Sequence, residues 1–131
     1  MKKIKATRLG KNGNCFQACI ASFLNLSLDE VPDFCSEKID WDFKFYTWLK
    51  EKNLLCVEID IQNCKEPLLI SFNQYCILTG KSPRGHFFHC AIGKYTANGF
   101  KFIFDPGDDT FFGDNPILKA LFIGSSNYAK Y

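Results

Sequence analysis

The chain has 131 residues, of which 47% are hydrophobic and 23% charged, and its formal net charge is only +2. That length suits one domain spanning 1–131, and the composition excludes a disordered chain. Near-neutrality argues against a dedicated nucleic-acid binder, which needs a basic face, so Lys2, Lys3, Lys5, Arg8 and Lys11 read as a solvated end.

No apolar run approaches the ~20 residues of a membrane span, and the N-terminus lacks the apolar core of a signal peptide. A cytoplasmic protein with no membrane partner is expected. Seven cysteines, an odd number, argue for reduced thiols over a complete disulfide framework.

Helical periodicity comes first. Phe16, Cys19, Ile20, Phe23 and Leu24 mark one face of a helix that begins near Cys15, after the turn residues Asn12, Gly13 and Asn14, and ends at Asn25. Ser27 with Glu30 predicts a capping box on a short turn closed by Pro32. A second helix is expected from about Asp40 to Lys52, with Trp41, Phe45, Trp48 and Leu49 toward the core.

Strand periodicity follows. Leu55, Val57, Ile59 and Ile61 alternate with polar residues and predict a half-buried strand with those four inward. Further strands are expected at Leu68–Phe72, Tyr75–Thr79, Phe87–Tyr95 and Phe100–Phe104, the last two joined by a hairpin turn at Thr96-Ala97-Asn98-Gly99. Helices followed by an antiparallel sheet predict an α+β fold, with the N-terminal helix packed on a C-terminal sheet.

Cys15 opens a helix, where unpaired N–H groups and the helix dipole favour a thiolate and offer donors to an oxyanion. Such a nucleophile needs a base. Of the two histidines, His86 follows the loop Ser82-Pro83-Arg84-Gly85, whereas His89 lies inside a strand that would hold its ring rigidly. A hairpin centred on residue 97 sets His89 opposite Asp105, whose carboxylate would orient the imidazole. A strict Asn98-Gly99 turn would set it opposite Asp108 instead. Cys90 should point to the other sheet face, outside the site.

A zinc site drawing on His86, His89, Cys90 and Cys15 or Cys19 lacks the paired C-x-x-C spacing of such sites, so no metal and no cofactor is expected. Arg84 offers a planar fork for a substrate carboxylate or phosphate. Phe16, Phe87 and Phe88 could line an apolar substrate subsite.

The segments NGNCFQACIASFLNLSLDEVPDF (12–34), YCILTGKSPRGHFFHCAIG (75–93) and FIFDPGDD (102–109), in the order Cys, His, Asp, resemble the papain-like cysteine peptidase fold. They are most similar to its minimal bacterial branch, which includes bacteriocin-leader-processing peptidases and many small bacterial and phage proteins. The resemblance implies Cys15 as nucleophile, His89 as general base and acid, and Asp105 as the orienting residue. It departs at Leu9, where the family usually places an oxyanion-binding glutamine six residues before the cysteine. NGNC is also similar to the DGNC of ovarian-tumour-type deubiquitinases, which implies Asn12 as an oxyanion donor.

The expected function is thiol-dependent acyl chemistry, a cysteine peptidase or amidase acting on a protein or peptide. Transglutaminase-like or deamidase-like modification of a protein partner uses the same triad. A non-catalytic binding or inhibitor module on the same fold is the contrasting reading.

Overall fold

A computed structural model describes residues 1–36, 40–63, 73–107 and 110–125. Two helices, α1 (Cys15–Leu24) and α2 (Trp41–Glu51), precede five strands: β1 (Leu54–Asp60), β2 (Gln74–Lys81), β3 (Phe88–Thr96), β4 (Gly99–Phe104) and β5 (Ile117–Ser125). The strands form one antiparallel sheet in the order β1-β5-β2-β3-β4. The fold is therefore α+β, as the order of sequence patterns predicts. Among the described residues no helix is long and apolar enough to cross a membrane.

Helix α1 follows its apolar spacing and ends where Asn25 turns left-handed (φ 58°), a conformation asparagine tolerates. The Glu30 carboxylate accepts from the Ser27 N–H and hydroxyl, which holds the turn at Leu28–Glu30. Edge-to-face rings then join the helical layer: Phe16 on Phe45 at 5.2 Å, and Phe34 on Phe45 at 5.3 Å and on Trp48 at 5.6 Å. This layer covers one sheet face, burying Ile20, Phe45 and Leu49 with Ile77, Ile92 and Leu121. The opposite face carries a smaller cluster of Cys76, Leu78, Ala91, Phe112, Ala120 and Phe122.

Two strand expectations need correction. In β1 Leu54 and Cys56 pack toward the helices; of the expected face, Ile59 and, just beyond the strand, Ile61 pack against the opposite cluster, while Leu55 and Val57 are exposed. Alternation gives the period of this edge strand, but the expected face is buried only from Ile59 onward, because the helices lie on the side of Leu54 and Cys56. Strand β5, which sits between β1 and β2, is absent from the expected strands: its run Ile117–Ile123 is apolar toward both faces and lacks alternation. The expected strand Leu68–Phe72 lies outside the described residues.

The β3–β4 hairpin closes on a two-residue Ala97-Asn98 turn, with Thr96 facing Gly99. Ile92 faces Phe104 while Gly93 faces Phe102, so a bulge at Ile103 adds one residue to β4. Without it, continued pairing would set Asp105 opposite Cys90, on the wrong face. With it, Asp105 falls opposite Ala91, on the face of His89 and diagonal to it, so His89 and Asp105 are not directly opposed as the hairpin arithmetic expected. The bulge delivers the carboxylate.

Candidate active site

Residues 6–14 bring the chain into α1. The Ala6 N–H bonds the Pro106 carbonyl at 2.8 Å, which ties the segment to the end of the hairpin. Asn14 is buried and uses its whole amide: Oδ1 accepts from the N–H groups of Thr7 (3.0 Å) and Arg8 (2.9 Å), and Nδ2 donates to Thr7 Oγ1 (2.9 Å) and Gln17 Oε1 (3.2 Å). Arg8 is further ion-paired with Asp33. Asn14 thus fixes the loop without capping the helix by its side chain. Asn14→Ala leaves two backbone donors and the Gln17 amide oxygen without partners, and is expected to cost about 2–3 kcal/mol of folding stability in a urea titration.

Gly13 is needed here, since a Cβ would come within 2.8 Å of the Arg8 carbonyl oxygen and 2.9 Å of that of Gly10. The first helical hydrogen bond runs from the Ala18 N–H to the Asn14 carbonyl, so the N–H groups of Cys15, Phe16 and Gln17 have no partner within the helix. Asn12 lies exposed on the turn before them.

Cys15 is half-buried at this helix start, and α1 packs on β2 and β3. His89 is buried, its ring edge-on to Phe112 at 6.0 Å between centroids. Gly80 faces His89 across β2 and β3, and a Cβ on it would come within 2.8 Å of the Phe112 ring. Its bare backbone makes room for that ring.

The His89 Nε2–H donates to Asp105 Oδ1 at 2.8 Å. Asp105 is fully buried, and its carboxylate also accepts from the N–H groups of Gly107 (2.7 Å, Oδ1) and Phe111 (2.7 Å, Oδ2). Phe111 takes a left-handed backbone (φ 51°) to present that N–H, a local strain of the kind found at functional sites. With Nε2 committed to Asp105, Nδ1 is the ring nitrogen left for another partner.

Cys15 interacts with both His89 and Cys90. The Cys90 thiol does most to lower its pKa; burial opposes this, and the hydrogen bond and charge of His89 lower it further, to about 5. For His89, burial disfavours the cation, but Asp105 and then the Cys15 thiolate outweigh it and raise the pKa to about 9. Asp105 is held below the ordinary carboxylate value: burial opposes its charge, and His89 and the two backbone donors overcome it. These directions favour a thiolate on Cys15, an imidazolium on His89 and a carboxylate on Asp105.

No protein-family model, curated protein or solved structure matches this chain.

A groove of about 340 Å³ runs between the helices and the sheet, lined by Phe16, Trp41, Phe45, Tyr46, Phe88 and Cys90 among others. It therefore reaches the immediate neighbours of both Cys15 and His89. Arg84 and Phe87 lie instead in the loop between β2 and β3, where the guanidinium sits 5.9 Å from the Phe87 ring centre. Phe87 lines a separate cavity with Lys81, Ser82 and His86.

Cys90 requires a correction. It does point to the face opposite His89, packing toward the helices while His89 meets Phe112. That face is the one α1 covers, so Cys90 is in the site. Alternation predicted its direction; the position of the helix decided the consequence. Asp108, the alternative partner for His89, lies outside the described residues. Among the described residues, no three His, Cys, Asp or Glu side chains are grouped to hold a metal ion.

Proposed function

We propose that this chain is a papain-like thiol enzyme that cleaves a peptide or isopeptide bond through Cys15, His89 and Asp105. The observation that carries this reading is the buried Asp105–His89 hydrogen bond beside a cysteine whose thiolate is favoured at a helix start. A histidine and an aspartate serving only the core would not need a thiolate next to them.

The Cys15 thiolate attacks the substrate carbonyl, and the resulting oxyanion lies against the Cys15 N–H, with Asn12 as the proposed second donor. Collapse of the tetrahedral intermediate breaks the C–N bond as His89 gives its proton to the leaving amine. A water, deprotonated by neutral His89, then hydrolyses the thioester and returns the thiolate–imidazolium pair. Asp105 keeps Nδ1 directed at the sulphur throughout. The aromatic groove suits an apolar side chain of a protein or peptide substrate.

Selective labelling tests the nucleophile. Desolvation holds the thiol of Cys76 up at about 12 and those of Cys35 and Cys56 above their ordinary value, so among the described cysteines Cys15 alone carries appreciable thiolate near pH 6. Native protein treated with iodoacetamide at pH 6 is expected to gain one adduct, mapped to Cys15. Slow, even modification of several cysteines would sink the proposal.

Turnover requires thiolate and imidazolium together. It is expected to rise through about pH 5 and fall through about pH 9, as a bell belonging to the coupled pair. A single rising limb near pH 9 would mean an ordinary thiol.

A further inference from the structure

Two cavities meet at one residue. Phe88, the first residue of β3 and the neighbour of His89, is 63% exposed and lines both the aromatic groove and the cavity of the β2–β3 loop. Cys90 and Ile92 pack toward the helices, so strand alternation sends the Phe88 ring to that same face. Core packing does not explain a ring left so open one residue from the proposed base.

The two cavities differ in charge. In the groove Lys119 and Glu58 form an ion pair at 3.2 Å, so its two charged residues cancel and the aromatic walls set its character. The loop cavity, of about 480 Å³, is lined by Lys81 and His86 and has no carboxylate among its described lining residues. Its walls are tied together. The N–H of buried Ser82 donates to the Phe87 carbonyl at 2.9 Å, and its hydroxyl accepts from the Arg84 N–H at 3.1 Å. The Asn115 amide donates to the Lys81 carbonyl at 3.1 Å, and a Cβ on Gly113 would come within 3.0 Å of Pro83 Cβ. An ammonium and an imidazole thus border a preformed space that favours an anion over a neutral group. Arg84 belongs to the same loop and adds to its positive field.

We propose that the substrate is an acidic peptide lying across Phe88, with an apolar side chain in the groove and the carboxylate of a neighbouring Asp or Glu in the loop cavity at Lys81 and His86. This rests on the reading of Cys15 and His89 as the reacting pair, which sets both cavities next to the bond that is cut. Phe88 stacks against the peptide between its two anchored side chains and fixes their spacing, while Lys81 and His86 select the charge.

The test titrates the Cys15→Ala protein, which binds without turnover, with N-acetyl-Phe-Glu amide, N-acetyl-Glu-Phe amide and their glutamine counterparts, and reads affinity from backbone amide shifts. In one of the two residue orders the acidic peptide is expected to bind about fivefold more tightly than its glutamine counterpart at low salt, with shifts at both cavities. High salt should shrink the gap. Lys81→Gln with His86→Gln, both on exposed side chains, should abolish it, whereas Phe88→Ala should weaken acidic and neutral peptides alike. Equal binding of the acidic and glutamine peptides would overturn the proposal, as would a gap that survives the double substitution or shifts confined to one cavity. Iodoacetamide labelling of the wild type keeps the two readings apart. Without the charge preference, a protein that labels at Cys15 loses only the acidic substrate, whereas failure to label Cys15 removes the enzyme and this proposal with it.

Discussion

His89→Ala is expected to slow the reaction of Cys15 with a small aromatic disulfide severalfold at pH 6, and to speed it at pH 10. In the native protein, with Cys15 near 5, about nine-tenths of the thiol is ionised at pH 6. Without His89 the larger contribution of Cys90 remains against burial, so the thiol rises toward its ordinary value without reaching it, and the thiolate fraction at pH 6 falls. Each drop of about tenfold in thiolate leaves a thiolate about threefold more nucleophilic, and the opposition of the two gives the modest net factor. At pH 10 both forms are ionised and only the nucleophilicity term remains, so the order reverses.

In the proposed mechanism hydrolysis has no such crossover. Without His89 nothing protonates the leaving amine or deprotonates water, and peptide turnover is expected to fall by at least about three orders of magnitude at every pH. Stopped-flow absorbance at several pH values, with peptide mapping to assign the adduct to Cys15, measures the first effect. A His89→Ala rate lowered by the same factor at pH 6 and pH 10 would mean that the histidine acts through structure and not through charge.

Much of this site is legible along the chain because its parts are local. The helix starting at Cys15 follows from the spacing Phe16, Cys19, Ile20, Phe23 and Leu24, and its end from an asparagine that tolerates φ 58°. The β3–β4 hairpin follows from its turn residues. What failed is non-local. The face that β1 buries, and whether Cys90 belongs to the site, both depend on which side of the sheet the helices occupy, and residue alternation carries no such information. The bulge at Ile103 is of the same kind: Gly93 beside it has no room for a Cβ, which would fall 2.4 Å from Leu78 Cδ1, but the sequence shows only a glycine in a strand. A hairpin centred on residue 97 is off by two residues from the observed register. Asp105 still lies on the sheet face of His89 because a shift of two preserves the face.

Asp105 also separates fold from chemistry, since two substitutions there should fail differently. Asp105→Ala leaves the His89 Nε2–H and the Gly107 and Phe111 N–H groups without their acceptor in a fully buried site, and is expected to cost about 3–5 kcal/mol, a large share of a domain's stability. Asp105→Asn keeps the shape and one acceptor oxygen. If that oxygen faces Phe111, the amide N–H₂ opposes His89 Nε2, which must then accept; the ring proton moves to Nδ1 and the imidazole can no longer take a proton from Cys15. If it faces His89, the amide collides with the Phe111 N–H instead. The folded variant is expected to lose about two to four orders of magnitude in turnover, with the His89 tautomer change visible by nitrogen NMR. Acid should reproduce the stability effect of the alanine change. The folded-state pKa of Asp105 lies below its ordinary 3.8, so its contribution is present above that value and is lost as the pH falls through the depressed one. Urea titrations of wild type and Asp105→Asn between pH 7 and pH 2 measure this directly: the wild type should lose stability on this account below about pH 4, whereas the asparagine variant has no charge at that position to lose.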